Sequence, residues 1–82
     1  MSYFVYILKC KDGTYYTGIT TDLVRRTDEH NLSNRGANYT KSRRPCILSY
    51  YEEVTTRSIA LKREHAIRQL SRTQKSELFR LN

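Results

Sequence analysis

Five side chains in this 82-residue sequence could do chemistry together: the phenols of Tyr6 and Tyr16, the guanidinium of Arg26, the imidazole of His30 and the carboxylate of Glu64. Arg26 and His30 are four residues apart, which makes them neighbours on one helical face. Glu64 has Ala60, Leu61 and Ile67 around it at helical spacings, so its carboxylate is half-buried and must be paired or must bind something. Tyr6 lies inside the most apolar run, where a phenol normally finds one hydrogen-bond partner and stays inert. Each residue taken singly has such an inert explanation: Arg26 as a surface charge, Glu64 as an ion-pair partner of Arg68 one turn on. The charge balance favours a more active one. Lys plus Arg number 15 against 8 Asp plus Glu, a net charge of +7 that points to a polyanionic partner.

The elements that must position these groups can be read from the pattern. Residues 3–9 are β-branched and aromatic without polar alternation, as in a strand buried on both faces, and residues 14–19 form a second strand. Between them Lys11-Asp12-Gly13 is a three-residue hairpin loop with glycine where positive φ is needed. This loop pairs Cys10 with Thr14, Leu8 with Tyr16 and Tyr6 with Gly18, so both phenols share one face and Gly18 leaves room for the Tyr6 ring. A two-residue turn would put them on opposite faces. Thr21-Asp22 caps a first helix carrying Leu23, Thr27 and His30 on one face and fading between Leu32 and Gly36. Residues 35–45 form a basic connection with room for a helical turn, and residues 46–54 a third strand. Thr56 or Ser58 caps a helix running to about Leu70, with Ile59, Ala66, Ile67 and Leu70 as its buried stripe. Ser71 caps a short last helix ending near Leu81, with Leu78 and Phe79 packing inward. The order β-β-α-β-α-α gives an α+β fold, a three-stranded antiparallel sheet flanked by helices, in one domain over residues 1–82.

Charge follows this layout. Residues 1–24 are neutral overall, residues 25–44 hold six basic and two acidic side chains, and residues 57–80 hold seven and two. The positive field therefore sits on the helices and the 35–45 loop. No apolar run approaches the ~20 residues of a membrane span, and no signal-peptide pattern opens the chain. Cys10 and Cys46 lack zinc-site spacing and read as two reduced thiols, which suits a cytoplasmic protein.

Taken together, Phe4-Val5-Tyr6, Tyr16-Thr17-Gly18, the stretch Asp22 to His30 and Ala60 to Glu64 resemble the GIY-YIG nuclease superfamily. The likeness covers nearly the whole chain. It is closest to the small stand-alone bacterial proteins of that group, of uncharacterised role, whose Tyr-Thr-Lys-Ser-Arg-Arg-Pro segment appears here at 39–45. The motifs depart from the type at Phe4-Val5 and at Thr17, Ile19 stands where the DNA-repair branch often has lysine, and the family's downstream asparagine has no secure counterpart. The resemblance implies hydrolysis of a DNA phosphodiester bond with one divalent cation, Mg2+ or Mn2+, held by Glu64. It further implies an Arg26 clamp on the phosphate, Tyr16 orienting or activating water, Tyr6 positioning phosphate or water, and His30 as a candidate base.

Nucleic-acid contacts are expected from Arg35, Tyr39, Lys41, Arg43, Arg44, Arg63 and Arg68, with DNA as partner and RNA as the alternative. A monomer or weak homodimer is expected, alone or within a larger repair complex. The competing reading is a non-catalytic nucleic-acid-binding module that keeps the nuclease fold. Glu64 speaks against it, because a pure binding module gains nothing from an anion facing phosphate.

Overall fold

The structure, a computed structural model, describes residues 2–80. It contains strand β1 (Tyr3–Cys10), β2 (Tyr15–Thr20), helix α1 (Leu23–Leu32), the short α2 (Asn38–Lys41), β3 (Cys46–Val54), α3 (Arg57–Arg68) and α4 (Arg72–Phe79). The three strands form one antiparallel sheet in the order β2-β1-β3. The most apolar strand is thus the central one, hydrogen-bonded on both sides, with Val5, Tyr6, Ile7 and Leu8 all buried.

The three-residue loop forms as expected. Gly13 has φ 84°, its N–H donates to Cys10 O at 2.9 Å, and Cys10 N donates to Thr14 O at 2.8 Å. The register follows from it: Leu8 faces Tyr16 and Tyr6 faces Gly18. A methyl group on Gly18 would lie 2.5 Å from the Tyr6 hydroxyl, so the ring rests directly on the bare backbone there. This is the close approach that requires glycine.

The two faces of the sheet are covered by different helices. Val5, Ile7 and Tyr50 pack with Ala60 and Ile67 of α3, with Leu78 and Phe79 of α4 against the same cluster. On the opposite face Tyr6, Leu8, Cys10 and Cys46 pack with Tyr16, Leu23 and Leu48. Leu48 and Tyr50 are two residues apart yet belong to opposite faces. A bulge explains it: Ile7 pairs with Tyr50 and Leu8 with Leu48, leaving Ser49 as the extra residue.

The helix starts match the capping signals. Asp22 accepts from Arg25 N, Thr56 from Ile59 N, and Ser71 with Gln74 forms a full capping box. Two expectations are corrected. The buried stripe of α3 is Ala60 and Ile67, whereas Ile59 is 43% exposed and Ala66 is also exposed. The helix rotates its smallest residue onto the sheet, because Ala60 lets the backbone approach Val5 and Ile7. The helix also stops at Arg68, two residues early, and the end of the last helix near Leu81 lies outside the described residues.

Candidate active site and nucleic-acid interface

The site is assembled on the α1 face. The Tyr6 hydroxyl lies 2.8 Å from His30 Nε2, and Thr40 Oγ1 lies 2.9 Å from His30 Nδ1. All three side chains are buried, His30 and Thr40 completely. The rings of Tyr6, Tyr16 and His30 cluster with centroid separations of 6.5, 5.9 and 5.0 Å, and Tyr39 joins beyond Tyr16 at 6.0 Å. Tyr16 is only partly buried, and its hydroxyl has no protein partner among the described residues. Of the two phenols, Tyr16 is therefore the one open to solvent.

Burial dominates the proton affinities. It pushes the Tyr6 phenol up to about 12, with Tyr16 adding to the rise, the nearby Arg26 guanidinium opposing it, and the Glu64 carboxylate raising it further. Arg26 lies on α1 and Glu64 on α3, helices that cover opposite faces of the sheet. His30 is pushed down to about 4, first by burial and then by the positive charge of Arg26. The imidazole is neutral near pH 7 and buried behind Tyr6, not open to solvent.

Arg26 is held by Glu29 Oε1 at 2.9 Å and by the carbonyl of Arg35 at 2.8 Å. Glu64 lies along the outer edge of β2, its Oε2 3.2 Å from Arg68 Nη2, which also reaches the Thr17 carbonyl of that edge strand at 3.1 Å. Its other oxygen has no hydrogen bond among the described residues, and the side chain is 17% exposed. No group of three or more His, Cys, Asp or Glu converges on a point among the described residues. A cation here would have one protein carboxylate and fill its shell with water and phosphate oxygens. That donor set suits Mg2+, which keeps several waters and takes one or two carboxylates plus substrate phosphates.

The expected nucleic-acid residues separate into two groups. Arg35, Lys41 and the exposed Tyr39 lie on the loop beside Tyr16, and neither cation has an ion pair among the described residues. The others are engaged. Arg43 stacks 3.9 Å over Tyr39 and pairs with Asp12 at 3.0 Å. Arg44 Nε donates to His30 O at 2.6 Å and Nη2 to Ser33 O, which caps the carbonyl end of α1. Arg63 grips Glu52 bidentately at 2.8 and 2.6 Å. Arg68 is tied to Glu64 and Thr17.

Three residues that matter to this architecture carry little signal in the sequence, Thr40 and Asn31 only their polarity and Gly36 only its place past the first helix. Thr40 stands behind His30. Asn31 pairs both backbone groups of Cys46, at 2.7 and 2.8 Å, and so ties α1 to β3. Gly36 lets the loop return against α1, where an added methyl group would sit 2.8 Å from the His30 Cα.

A family model for the GIY-YIG catalytic domain matches residues 2–77. The chain belongs to the GIY-YIG family. The UPF0213 protein DP2720 of Desulfotalea psychrophila is 57% identical over 79 residues, which cover 96% of this chain and 72% of that relative. The UPF0213 protein VNG_2274C of Halobacterium salinarum is 52% identical over 75 residues, covering 92% and 96% respectively. Among solved structures, the solution NMR structure of EF2693 from E. faecalis superposes with a TM-score of 0.67 at 42% identity, covering 99% of this chain and 85% of that one. The UPF0213 protein BH0048 from Bacillus halodurans gives 0.62 at 41% identity, covering 100% and 86%. The two NMR structures share the chain's fold, and the GIY-YIG domain gives the chain a function of nuclease type in general terms.

Proposed function

We propose that this GIY-YIG domain hydrolyses a phosphodiester bond in DNA. The observation that carries the reading is the clustering of Tyr6, His30 and an open Tyr16 on one face, with Arg26 one helical turn from His30 on α1 and Glu64 tied through Arg68 to the Thr17 carbonyl of the neighbouring strand β2. A phosphate seated there would meet a planar cation on one side and a carboxylate able to hold one Mg2+ or Mn2+ on the other. When bound, the cation neutralises charge developing on the phosphate oxygens. Arg26 orients the phosphate; its position is fixed by Glu29 and the Arg35 carbonyl before substrate arrives. Tyr16 holds the attacking water, whose oxygen bonds phosphorus as the bond to the leaving oxygen breaks. Tyr6 positions the phosphate from below. His30 supports Tyr6 and does not itself meet the substrate, because it is completely buried.

The nucleic acid lies across the loop carrying Arg35, Tyr39 and Lys41. It extends past Arg26 into a groove where Arg57, which has no ion pair among the described residues, faces Arg25 and Thr21. DNA-repair processing in the cytoplasm is the setting this chemistry suits, alone or within a larger complex.

The Glu64–Arg68 contact supports the second reading, a binding module in which Glu64 is only an ion-pair partner. Plasmid nicking in Mg2+ or Mn2+ separates the two. Under the nuclease reading Glu64→Gln abolishes metal-dependent nicking, while metal-free DNA binding holds or tightens. Nicking by Glu64→Gln at the wild-type rate would remove the site assignment. A wild-type protein that binds DNA but cuts no duplex, flap, fork or single strand would establish the binding module.

A further inference from the structure

Thr40 is completely buried, carries no charge and is out of reach of any substrate, yet it contacts the inner nitrogen of His30. The main-chain contacts around that nitrogen define its state. The Ala37 N–H, which can only donate, points at His30 Nδ1 at 3.4 Å, so Nδ1 must offer a lone pair. The Thr40 hydroxyl lies nearer, 2.9 Å from the same nitrogen. Its other acceptor within reach is the Ala37 carbonyl at 2.9 Å. That carbonyl also receives Thr40 N at 3.1 Å and Lys41 N at 3.2 Å, so it is satisfied without the hydroxyl. The hydroxyl can turn to either acceptor; with the Ala37 N–H directed at Nδ1, that nitrogen carries a lone pair, and the closer Thr40 contact is then made by the hydroxyl donating to it.

We propose that Thr40 is a positioning residue: together with the Ala37 N–H it holds His30 in the tautomer protonated on Nε2, so that His30 donates to the Tyr6 oxygen.

The consequence falls on Tyr6. In the opposite tautomer Tyr6 would spend its own proton on His30 Nε2 across 2.8 Å and could offer the cleft only an oxygen lone pair. With the proton on Nε2, the Tyr6 oxygen accepts from His30, and its hydroxyl hydrogen turns outward toward the cleft. There it can donate to a phosphate oxygen or to the attacking water. The state of one ring nitrogen is set by the hydrogen bond the other makes, as in histidines whose orientation a second residue fixes. Gly36 makes the arrangement possible by letting residues 36–40 close against the His30 Cα. His30 remains neutral throughout, so Thr40 selects between two neutral forms and not between charges.

The inference rests on the nuclease reading for its effect on cleavage, but the tautomer can be measured without any substrate. Chain labelled with 15N in its histidines, with His65→Gln used to assign the two rings, reports which nitrogen of His30 carries hydrogen. The expected spectrum at pH 7 shows a protonated Nε2 and a lone-pair Nδ1. Thr40→Val keeps the shape and removes the donor. It should raise the Nδ1-protonated fraction and lower kcat for cleavage about tenfold or more, on the scale of losing a second-layer partner of a working histidine. Thr40→Ser should restore the wild-type spectrum and most of the rate. A wild-type spectrum with the proton on Nδ1 overturns the inference, as does a Thr40→Val protein that keeps the Nε2–H form. If wild type cuts no DNA, the nuclease reading fails and the spectrum still decides the role of Thr40. Should Thr40→Val not fold, the wild-type and Thr40→Ser spectra decide it.

Discussion

Under α3 and α4 the sheet buries Val5, Ile7, Tyr50, Ala60 and Ile67, and its Glu52–Arg63 pair lies at the margin. Under α1 and α2 it buries Tyr6, His30 and Thr40 among Leu8 and two cysteines. Both faces exclude water. The first is organised by shape, and its hydrogen-bonding needs are few. The second is organised by a chain of directed contacts from Tyr6 through His30 to Thr40. An apolar core tolerates small shifts at a graded cost, whereas a buried polar chain fails when one partner is displaced. The α3 face is chiefly apolar packing and the α1 face carries the buried polar chain, while the proposed site draws Glu64 from α3 as well.

The sharpest way to break the distinction is Gly18→Ala. The added methyl collides with the Tyr6 hydroxyl and ring, at 2.5 and 2.7 Å, and must displace both from His30. Cleavage should fall by about 10²–10⁴, the range of losing a positioned proton-handling group, and histidine NMR should show His30 altered. Retained activity would mean that Tyr6 has no part in the reaction.

Ile67→Ala tests the opposite face. It deletes a side chain that is 1% exposed and should cost about 2–5 kcal/mol in urea unfolding, with the His30 resonances of the remaining folded protein unmoved. A changed His30 spectrum would show that the faces are coupled through β1.

A pH titration of stability reads the polar face directly. Because His30 is held down to about 4 when folded, the unfolded chain binds its proton first as pH falls below the ordinary histidine range near 6.5. Stability should therefore be full above that range and decline toward pH 4, by on the order of 1 kcal/mol between pH 7 and pH 5. A His30→Gln variant should lack this decline. A wild type whose stability rises on acidification would contradict the buried neutral ring.

Arg44→Gln and Lys41→Gln divide the basic loop. The first removes the cap on the His30 and Ser33 carbonyls and should lower stability by about 1 kcal/mol. The second should leave the melt alone and make the slope of log affinity against log salt shallower by about 0.9 on duplex DNA. If the two outcomes were exchanged, the division into engaged and free cations would be wrong. The smallest effect belongs to Thr17, whose buried hydroxyl has no partner among the described residues. It pairs with Ile7 across the apolar side, so Thr17→Val should leave the melting temperature level or raise it slightly.

The hairpin shows what a sequence makes legible. Loop length, Gly13 and the two-residue period fix the register, and with it the shared face of Tyr6 and Tyr16, because those are local rules. The helix starts follow for the same reason, since Asp22, Thr56 and Ser71 act on residues three positions away. The bulge at Ser49 is not local. It arises where β3 must satisfy β1 and two covering helices at once, so the 46–54 run shows no trace of it. The α3 stripe of Ile59, Ala66 and Leu70 failed for a related cause: hydrophobicity ranks residues, but the approach of a helix to a sheet selects the small Ala60. In the site, the reactive types could be named from spacing, while the engagement of Arg44 and Arg63 and the placement of Thr40 depend on tertiary contacts.

The central position of β1 has a consequence for how the chain is made. A strand apolar along most of its length is synthesised before either neighbour, and the second of them, β3, begins only at Cys46. At about 5–20 residues per second, β1 waits for seconds with one edge unpaired and only a two-stranded hairpin to protect it. A fragment of residues 2–34 should accordingly show no cooperative melt and should bind a dye for exposed apolar surface. A folded, dye-silent fragment would show that the hairpin and α1 suffice. Otherwise this small domain passes its most aggregation-prone interval on the ribosome, with Lys9 and Lys11 the cations at the end of the bare strand.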